Sequence, residues 1–317
     1  MNFNIGIDGG GTHTRVRVAT VDGTIEAEIS VRQTVKFFEI GFDESARRIT
    51  ALIVRAAKKA GAPMNAISGI CIGLAGNGRE SDQRRLRKDL TVALKKFGIS
   101  PRKLRLETDA AIALPGALGK RSGVVLICGT GAIAIGRTAT NTIVRVGGWG
   151  RIFGDEGSGY WIGVQALNAV GKDLDGRGPH TALTNAVFKT FTHVKDREPR
   201  VLRSAIASGV IRVEGIAPLV SKSAAAGDTI AKGILRRAAD ELCDQLAAMH
   251  RTNFPNVKNV PLVFHGSVIE HSTVGPLLRR SLQRQLPGAY RVTQPAGSPL
   301  DGAIFLLKSR SPSTKRV

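Results

Sequence analysis

The chain has 317 residues, of which 42% are hydrophobic and 22% are charged, a composition that excludes a disordered protein. This length exceeds the usual size of a single hydrophobic core, so we expect two domains. No apolar run is long enough for a membrane span, and the first strand begins without a basic and apolar leader. We therefore expect a soluble, cytoplasmic protein with no membrane partner.

The net charge of +21 is high, and a basic surface favours contact with anions, including nucleic acids. The basic residues are dispersed, however, and aromatic residues make up only 5% of the chain, which argues against nucleic-acid binding. Anionic small ligands are the favoured partners. The three cysteines, Cys71, Cys128 and Cys243, lie far apart with no Cys-x-x-Cys spacing, which argues against disulfides, zinc and iron–sulfur clusters.

The first informative motif is a glycine-rich turn that follows a short apolar strand starting at Phe3. The turn reads Asp8–Thr12, with three consecutive glycines. Glycines at a strand end let backbone N–H groups approach an anion, and the threonine adds a hydroxyl donor. Asp8 is either an ordinary turn-forming residue or a carboxylate that supports the water shell of Mg²⁺. Alternating residues after the turn, and the hairpin signal Asp22-Gly23, predict that the turn joins two strands.

The rest of the first half alternates helices with strands. Apolar spacing predicts a helix over 43–60, a strand over 67–72 and a helix over 83–97. A strand then ends at Thr108-Asp109, and a helix of small residues begins at Ala110. Asp109 is either the N-cap of that helix or a ligand-facing carboxylate at the end of a strand. In the second case it is a candidate base for a hydroxyl that attacks a phosphate.

The second half repeats this plan. A strand from Val124 enters the turn Gly129–Ala132, and returning strands follow over 132–137 and 143–146. Later, a strand ends at Gly266-Ser267, a helix covers 274–286, and 291–292 resume strand character, while three helical segments fall within residues 160–250. We infer an internal duplication of an α/β unit, with a helical insertion in the second copy.

Two other nucleotide-binding readings are disfavoured. Gly129–Ala134 fits the G-x-G-x-x-A dinucleotide fingerprint, but that motif must open a helix, whereas this segment predicts a strand. The Walker A pattern is absent from the sequence.

A third motif covers Gly147–Trp161 and contains six glycines, two adjacent carboxylates and both tryptophans of the chain. One interpretation is a complex turn around a core tryptophan. The other is a sugar site, in which an aromatic ring supplies an apolar wall and a carboxylate accepts hydroxyl hydrogen bonds.

Together these motifs resemble the N-acetylglucosamine kinase and BadF/BadG/BcrA/BcrD ATPase-like family, which belongs with actin, hexokinase and Hsp70. The resemblance runs from Ile5 to Leu307 and rests on five segments: Asp8–Thr12, Thr108–Ala111, Gly129–Gly131, Gly147–Gly150 and Gly154–Ser158. It implies an α/β fold of two ribonuclease-H-like domains with an interdomain cleft, the duplicated actin-like ATPase fold. The implied domains are 1–117, joined by a C-terminal helix over 299–317, and 118–298, with the insertion over 160–250.

The resemblance also implies roles for individual residues. The phosphate turns would be formed by Gly10, Gly11 and Thr12, and by Thr130 and Gly131, while Gly266 and Ser267 would lie beneath the adenosine. Asp8 would support Mg²⁺ through water, and Asp109 would be the catalytic base and would also hydrogen-bond the sugar. The remaining sugar contacts would be Gly148, Trp149, Gly150 and Asp155.

The implied enzyme is an ATP- and Mg²⁺-dependent kinase for a hydroxyl of an amino sugar or related hexose, with N-acetylglucosamine or glucosamine as first candidates. A homodimer is compatible with the sequence. The alternative is an ATPase switch that acts on a macromolecular partner. Lys36, Ala132 and Ile133 depart from the polar residues of family members that bind N-acetylated sugars, so recognition of an N-acetyl group stays open.

Overall fold

The computed structural model describes residues 1–10, 13–191 and 198–309. The chain divides into two compact units. The first contains Met1–Ser122 and the segment from Gln294 onward, and the second contains Gly123–Thr293. The predicted site residues Gly11 and Thr12 lie outside the described residues.

The elements, in chain order up to the end of the first unit's main segment, are β1 Phe3–Gly9, β2 Thr14–Thr20, β3 Ile25–Val31, α1 Phe37–Ile40, α2 Phe42–Lys59, β4 Ile67–Leu74, α3 Glu80–Lys95, β5 Lys103–Thr108 and α4 Asp109–Leu118. The elements that follow are β6 Gly123–Cys128, β7 Ala132–Arg137, β8 Ile143–Gly147, α5 Gly159–Leu174, α6 Ala182–Thr190, α7 Pro199–Ala207, α8 Ala217–Ala225, α9 Thr229–Asn253, β9 Val260–His265, α10 Ser267–His271, α11 Val274–Gln285, β10 Tyr290–Val292 and α12 Pro299–Lys308.

The first unit is built on a five-stranded sheet of order β3-β2-β1-β4-β5. β1 pairs antiparallel with β2 and parallel with β4, and β5 extends the parallel side. β1 is buried along its whole length, whereas β3 alternates between buried and exposed residues, as expected for an edge strand. One apolar cluster joins the sheet to α2 and α3, and a second joins it to α4 and α12.

The second unit repeats this topology. Its sheet, listed in the same sense as the first, has the order β8-β7-β6-β9-β10. β6 again pairs antiparallel with the next strand and parallel with the strand that arrives after the helices. The core includes residues from β6, α5 and α9. The predicted duplication of an α/β unit is therefore confirmed, because two sheets with the same order and the same strand directions follow one another in the chain.

The helical insertion differs in detail from the prediction. The three predicted helical segments correspond to α5, α8 and α9, but the structure adds α6 and α7, which the sequence analysis did not identify. α6 is capped by the hydroxyl of Thr181, and α7 begins with a proline behind Glu198. Among the described residues, no helix is long and apolar enough to cross a membrane.

α12 returns the chain to the first unit and packs against α4 at two glycines. A Cβ placed on Gly302 would lie 2.7 Å from the backbone nitrogen of Gly116, so only glycine permits this approach. The helix begins with a capping box between Ser298 and Asp301. The predicted helix over 299–317 is too long, because α12 ends at Lys308 and Ser309 has extended backbone angles; residues 310–317 lie outside the described residues.

Candidate active site

In the first unit, Asp8 and Asp109 lie at the carboxyl ends of the parallel strands β1 and β5. Asp8 is the penultimate residue of β1 and is 7% exposed. Its carboxylate accepts a hydrogen bond from Arg15, which lies opposite it on β2, at 2.6 Å. Arg15 is therefore a partner of Asp8 that the sequence analysis missed, although the strict pairing of two strands around the glycine turn was a signal that placed them side by side.

Asp109 is the first residue of α4, and the capping role belongs to its neighbour. The hydroxyl of Thr108 accepts a hydrogen bond from the N–H of Ala111 at 3.1 Å. The interpretation of Asp109 as the N-cap is thus wrong. The Asp109 carboxylate accepts a hydrogen bond from the N–H of Ala110 at 2.9 Å.

The electrostatic surroundings of Asp109 favour its neutral form. Burial is the largest cause and raises its pKa, the N–H of Ala110 lowers it, and the negative charge of Asp8 raises it again. The positive charge of Lys36 acts in the opposite direction. The net effect is a pKa above the ordinary aspartate value, which is the direction expected of a general base working near neutral pH.

The donor set at this edge fits a magnesium ion. Mg²⁺ usually retains several waters and takes one or two carboxylates together with substrate phosphates. Asp8 and Asp109 interact strongly enough for one charge to raise the pKa of the other, so two carboxylates share this edge. Asp8 is the residue that would hold the ion through its waters, and a bound ion would supply charge neutralisation for a phosphate.

In the second unit, the turn that follows β6 is tied to the start of α5. The N–H of Gly159 donates to the carbonyl of Gly129 at 2.8 Å, and the N–H of Tyr160 donates to that of Thr130 at 3.2 Å. A Cβ on Gly131 would lie 2.7 Å from a carboxylate oxygen of Asp155. Asp155 therefore lies directly over the second glycine turn.

Asp155 also fastens the glycine-rich loop to that turn. Its carboxylate accepts hydrogen bonds from the N–H groups of Ala132 and Gly150. Burial nevertheless raises its pKa above the ordinary value, and the nearby charge of Glu156 contributes in the same direction. The residue has a φ of 59°, which is unusual for a side-chain-bearing residue and indicates a conformation that the loop enforces.

Trp149 is 57% exposed, so it is not a core residue, and the alternative interpretation of this motif as a turn around a core tryptophan fails at Trp149. Its ring stacks on Phe153 with a centroid distance of 6.1 Å, and the Arg145 guanidinium lies 4.4 Å from its centroid. The neighbouring Gly148 has a φ of 68° and faces Ile133, with 2.6 Å between an added Cβ and the Ile133 Cδ1. An exposed aromatic side chain beside a half-buried carboxylate is an arrangement suited to binding a sugar ring.

Gly266 and Ser267 follow β9 and lie next to the end of β6 and the glycine turn that follows it. Gly266 has a φ of 109°, and a Cβ there would lie 2.5 Å from the carbonyl oxygen of Cys128. Its N–H donates to the Glu270 side chain at 2.9 Å. The glycine thus allows the turn after β9 to pass directly beside the second glycine turn.

The predicted site residues fall into two groups. Asp8, Gly10 and Asp109 lie at the strand ends of the first unit. The second unit brings together Thr130, Gly131, Gly148, Trp149, Gly150, Asp155, Gly266 and Ser267. A buried lysine, Lys36, interacts electrostatically with Asp109 and was noted in the sequence only as a departure from the family pattern.

The two units, each built on a five-stranded mixed sheet of the same strand order, have the architecture of the actin-like ATPase fold. The sequence profile of the BadF/BadG/BcrA/BcrD ATPase family matches residues 5–304. The chain belongs to this family, and the resemblance stated from the sequence motifs is confirmed.

Several relatives of this chain are sugar kinases. The chain is 34% identical to an N-acetylmuramic acid/N-acetylglucosamine kinase of Clostridium acetobutylicum over 86% of this chain and 87% of that one. It is 28% identical to the glucosamine kinase GspK of Vibrio cholerae over 79% and 81% of the two chains. A Chromobacterium violaceum structure, provisionally assigned as an N-acetylglucosamine kinase, aligns with a TM-score of 0.77 at 27% identity, covering 97% and 99%. The predicted actin-like ATPase fold and the predicted enzyme class are thereby confirmed.

Proposed function

We propose that this protein transfers the γ-phosphoryl group of ATP to a hydroxyl of an amino sugar or a related hexose, with N-acetylglucosamine and glucosamine as first candidates. The observation that carries the proposal is that the Asp109 carboxylate does not cap α4 and has a raised pKa. Thr108 performs the capping, so the carboxylate is available to a substrate, and burial raises its pKa toward the range of a useful base.

The proposed mechanism assigns Asp109 to the acceptor hydroxyl. Its carboxylate orients the hydroxyl and receives its proton as the oxygen attacks the γ-phosphorus, while the bond to the ADP leaving group breaks. Phosphoryl transfer depends mainly on positioning and on neutralising charge. In this proposal Asp8 would hold a Mg²⁺ ion through its waters, and a bound ion would supply neutralisation of the phosphate charge.

The glycine turns are proposed to hold the phosphates. Gly10 belongs to the first turn, and Thr130 and Gly131 belong to the second. Support comes from the packing of Gly131 against Asp155, because this contact within the second unit helps to hold the turn in place. Gly266 and Ser267 are proposed to lie beneath the adenosine.

The sugar contacts proposed in the second unit are Gly148, Trp149, Gly150 and Asp155. The exposure of Trp149 and the positive φ values of the neighbouring glycines support this assignment, since glycine lets a ligand approach the backbone closely. Asp155 already accepts two backbone N–H groups. Its replacement is therefore expected to disturb the loop as well as any sugar contact.

The direct test measures ATP turnover with glucose, glucosamine, N-acetylglucosamine, N-acetylmannosamine and N-acetylmuramic acid, with and without Mg²⁺. We expect Mg²⁺-dependent stimulation by at least one sugar, with one phosphorylated sugar formed per ADP. A rate of ATP turnover that no sugar changes but a macromolecule increases would instead support an ATPase switch.

The mechanistic test is Asp109→Asn. This change keeps the size and the Thr108 cap, and we expect kcat to fall by about 10²-fold or more, with nucleotide binding retained. The matched control is Asp43→Asn, an exposed acidic residue in the first turn of α2. Equal activity of the Asp109→Asn variant and the wild type would refute the assignment of the base.

A further inference from the structure

Residues 32–36, which connect β3 to α1, are fixed at the carboxyl ends of the central strands of the first unit. Val35 is fully buried, and a Cβ on Gly9, at the end of β1, would lie 2.9 Å from its side chain. Phe38 meets the turn after β4, with 2.6 Å between its ring and a Cβ placed on Gly76. Three side chains also donate to carbonyl oxygens of the segment: Thr14 to Gln33 at 2.6 Å, Arg48 to Thr34 at 3.0 Å and Ser45 to Val35 at 2.6 Å.

Lys36 lies in the chain between Val35, which packs at Gly9, and Phe38, which packs at Gly76. It is only 5% exposed. Its ammonium donates to Glu39 at 3.2 Å and lies 5.5 Å from the centroid of the Phe38 ring. An ammonium has three hydrogens to donate. Within the described part of the chain, Glu39 is the one acceptor that it has, so two donors of a buried cation have no partner there. Burying a cation in this way is costly unless a further acceptor arrives.

Among the described residues, the charged groups around Asp109 at this edge include two ion pairs. Asp8 is paired with Arg15, and Lys36 is paired with Glu39. Asp109 has no ion-pair partner among the described residues, and Lys36 is the cation whose charge acts on it. A hydroxyl placed on Asp109 for phosphorylation therefore brings its sugar into the field of the Lys36 ammonium.

We propose that the Lys36 ammonium is a specificity-determining donor to the sugar, which selects neutral or anionic sugars and disfavours sugars that carry a free ammonium group. This inference rests on the proposed function and narrows its substrates to sugars without a free ammonium group, N-acylated and acid-bearing amino sugars included. An acyl oxygen or a carboxylate accepts one of the free Lys36 hydrogens. The ammonium of glucosamine offers no acceptor and adds a second cation to a partly desolvated site.

The experiment compares glucose with glucosamine, because the two differ only in a hydroxyl against an ammonium at one carbon. kcat/KM and calorimetric Kd are measured for both sugars in the wild type, Lys36→Met and Lys36→Arg, at a pH where the amine is protonated. N-acetylglucosamine and N-acetylmuramic acid complete the panel. Lys88→Met, which removes an exposed lysine of α3, controls for the loss of one positive charge.

We expect the wild type to prefer glucose over glucosamine by about tenfold or more, as for two like charges a few ångströms apart in a partly desolvated site. Lys36→Met is expected to remove this preference and to weaken N-acetylmuramic acid most, whereas Lys36→Arg and Lys88→Met keep it. An unchanged preference in Lys36→Met would overturn the inference. An equal loss for every sugar would also overturn it and assign Lys36 to the phosphate or to the fold, which thermal melting would distinguish.

The calorimetric arm separates this inference from the proposed function. A wild type that binds sugars with the expected preference but transfers no phosphoryl group refutes the kinase and leaves the role of Lys36 supported. A wild type that phosphorylates glucosamine as well as glucose refutes the role of Lys36 and leaves the kinase intact. Failure to bind any of the four sugars refutes both.

Discussion

Replacing Gly302 with alanine tests the contact that holds α4, and with it Asp109, in place. An added Cβ would lie 2.7 Å from the backbone nitrogen of Gly116 and closer still to the carbonyl oxygen of Ile112. Both are backbone atoms of α4, so no side-chain rotation relieves the overlap and the helices must move apart. Overpacking of this kind costs about 3 kcal/mol. The better helix propensity of alanine returns about 1 kcal/mol. We expect a net loss of about 2 kcal/mol in the free energy of unfolding.

Urea denaturation followed by circular dichroism measures this loss, and sugar-kinase turnover reports the position of Asp109. We expect kcat to fall by at least about tenfold, because small displacements of a catalytic group are costly. Gly233→Ala is the matched control: the residue is inside α9, where an added Cβ meets nothing within 4 Å. It is expected to be as stable as the wild type or more stable by about 1 kcal/mol. Equal stability of Gly302→Ala and Gly233→Ala would refute the reasoning.

Three further outcomes follow from the charges and the burial of single groups. Burial raises the pKa of Asp109, so its ionised form is disfavoured in the folded state. Asp109→Asn should therefore raise the free energy of unfolding at neutral pH. Urea titrations should show this gain in unfolding free energy disappear below the ordinary aspartate pKa. Burial acts to raise the pKa of Asp301, but the hydrogen bonds of the capping box and of Arg17, at 2.5 Å, outweigh it and lower the pKa. Asp301→Ala should therefore lower the unfolding free energy by about 1–3 kcal/mol at neutral pH and by less as the pH falls through that lowered pKa. Burial raises the pKa of the Cys71 thiol to about 12 and that of Cys243 to about 11, so a disulfide reagent should label them only after unfolding; rapid labelling of the native protein would contradict their burial.

Much of the fold could be read from the sequence because its signals are local. Short apolar strands that end in glycine turns mark β1 and β6, and alternating residues mark their hairpin partners. The recurrence of this order in the two halves predicted the duplication, which the two sheets confirm. α6 and α7 were missed, since each has only nine residues and the packing of the insertion stabilises them more than their own periodicity does.

By itself, the sequence determined the strand and turn order, the duplication, the family and the candidate residues such as Asp109, because these depend on neighbours along the chain. Only the tertiary structure decided that Thr108 caps α4, that Asp155 accepts backbone N–H groups from two segments, and that Lys36 is buried where its charge acts on Asp109. The physical reason is that burial and charge coupling are set by residues distant in sequence. Val35 meets Gly9 only once the segment after β3 folds over the end of β1, and that contact brings Lys36 to the strand ends.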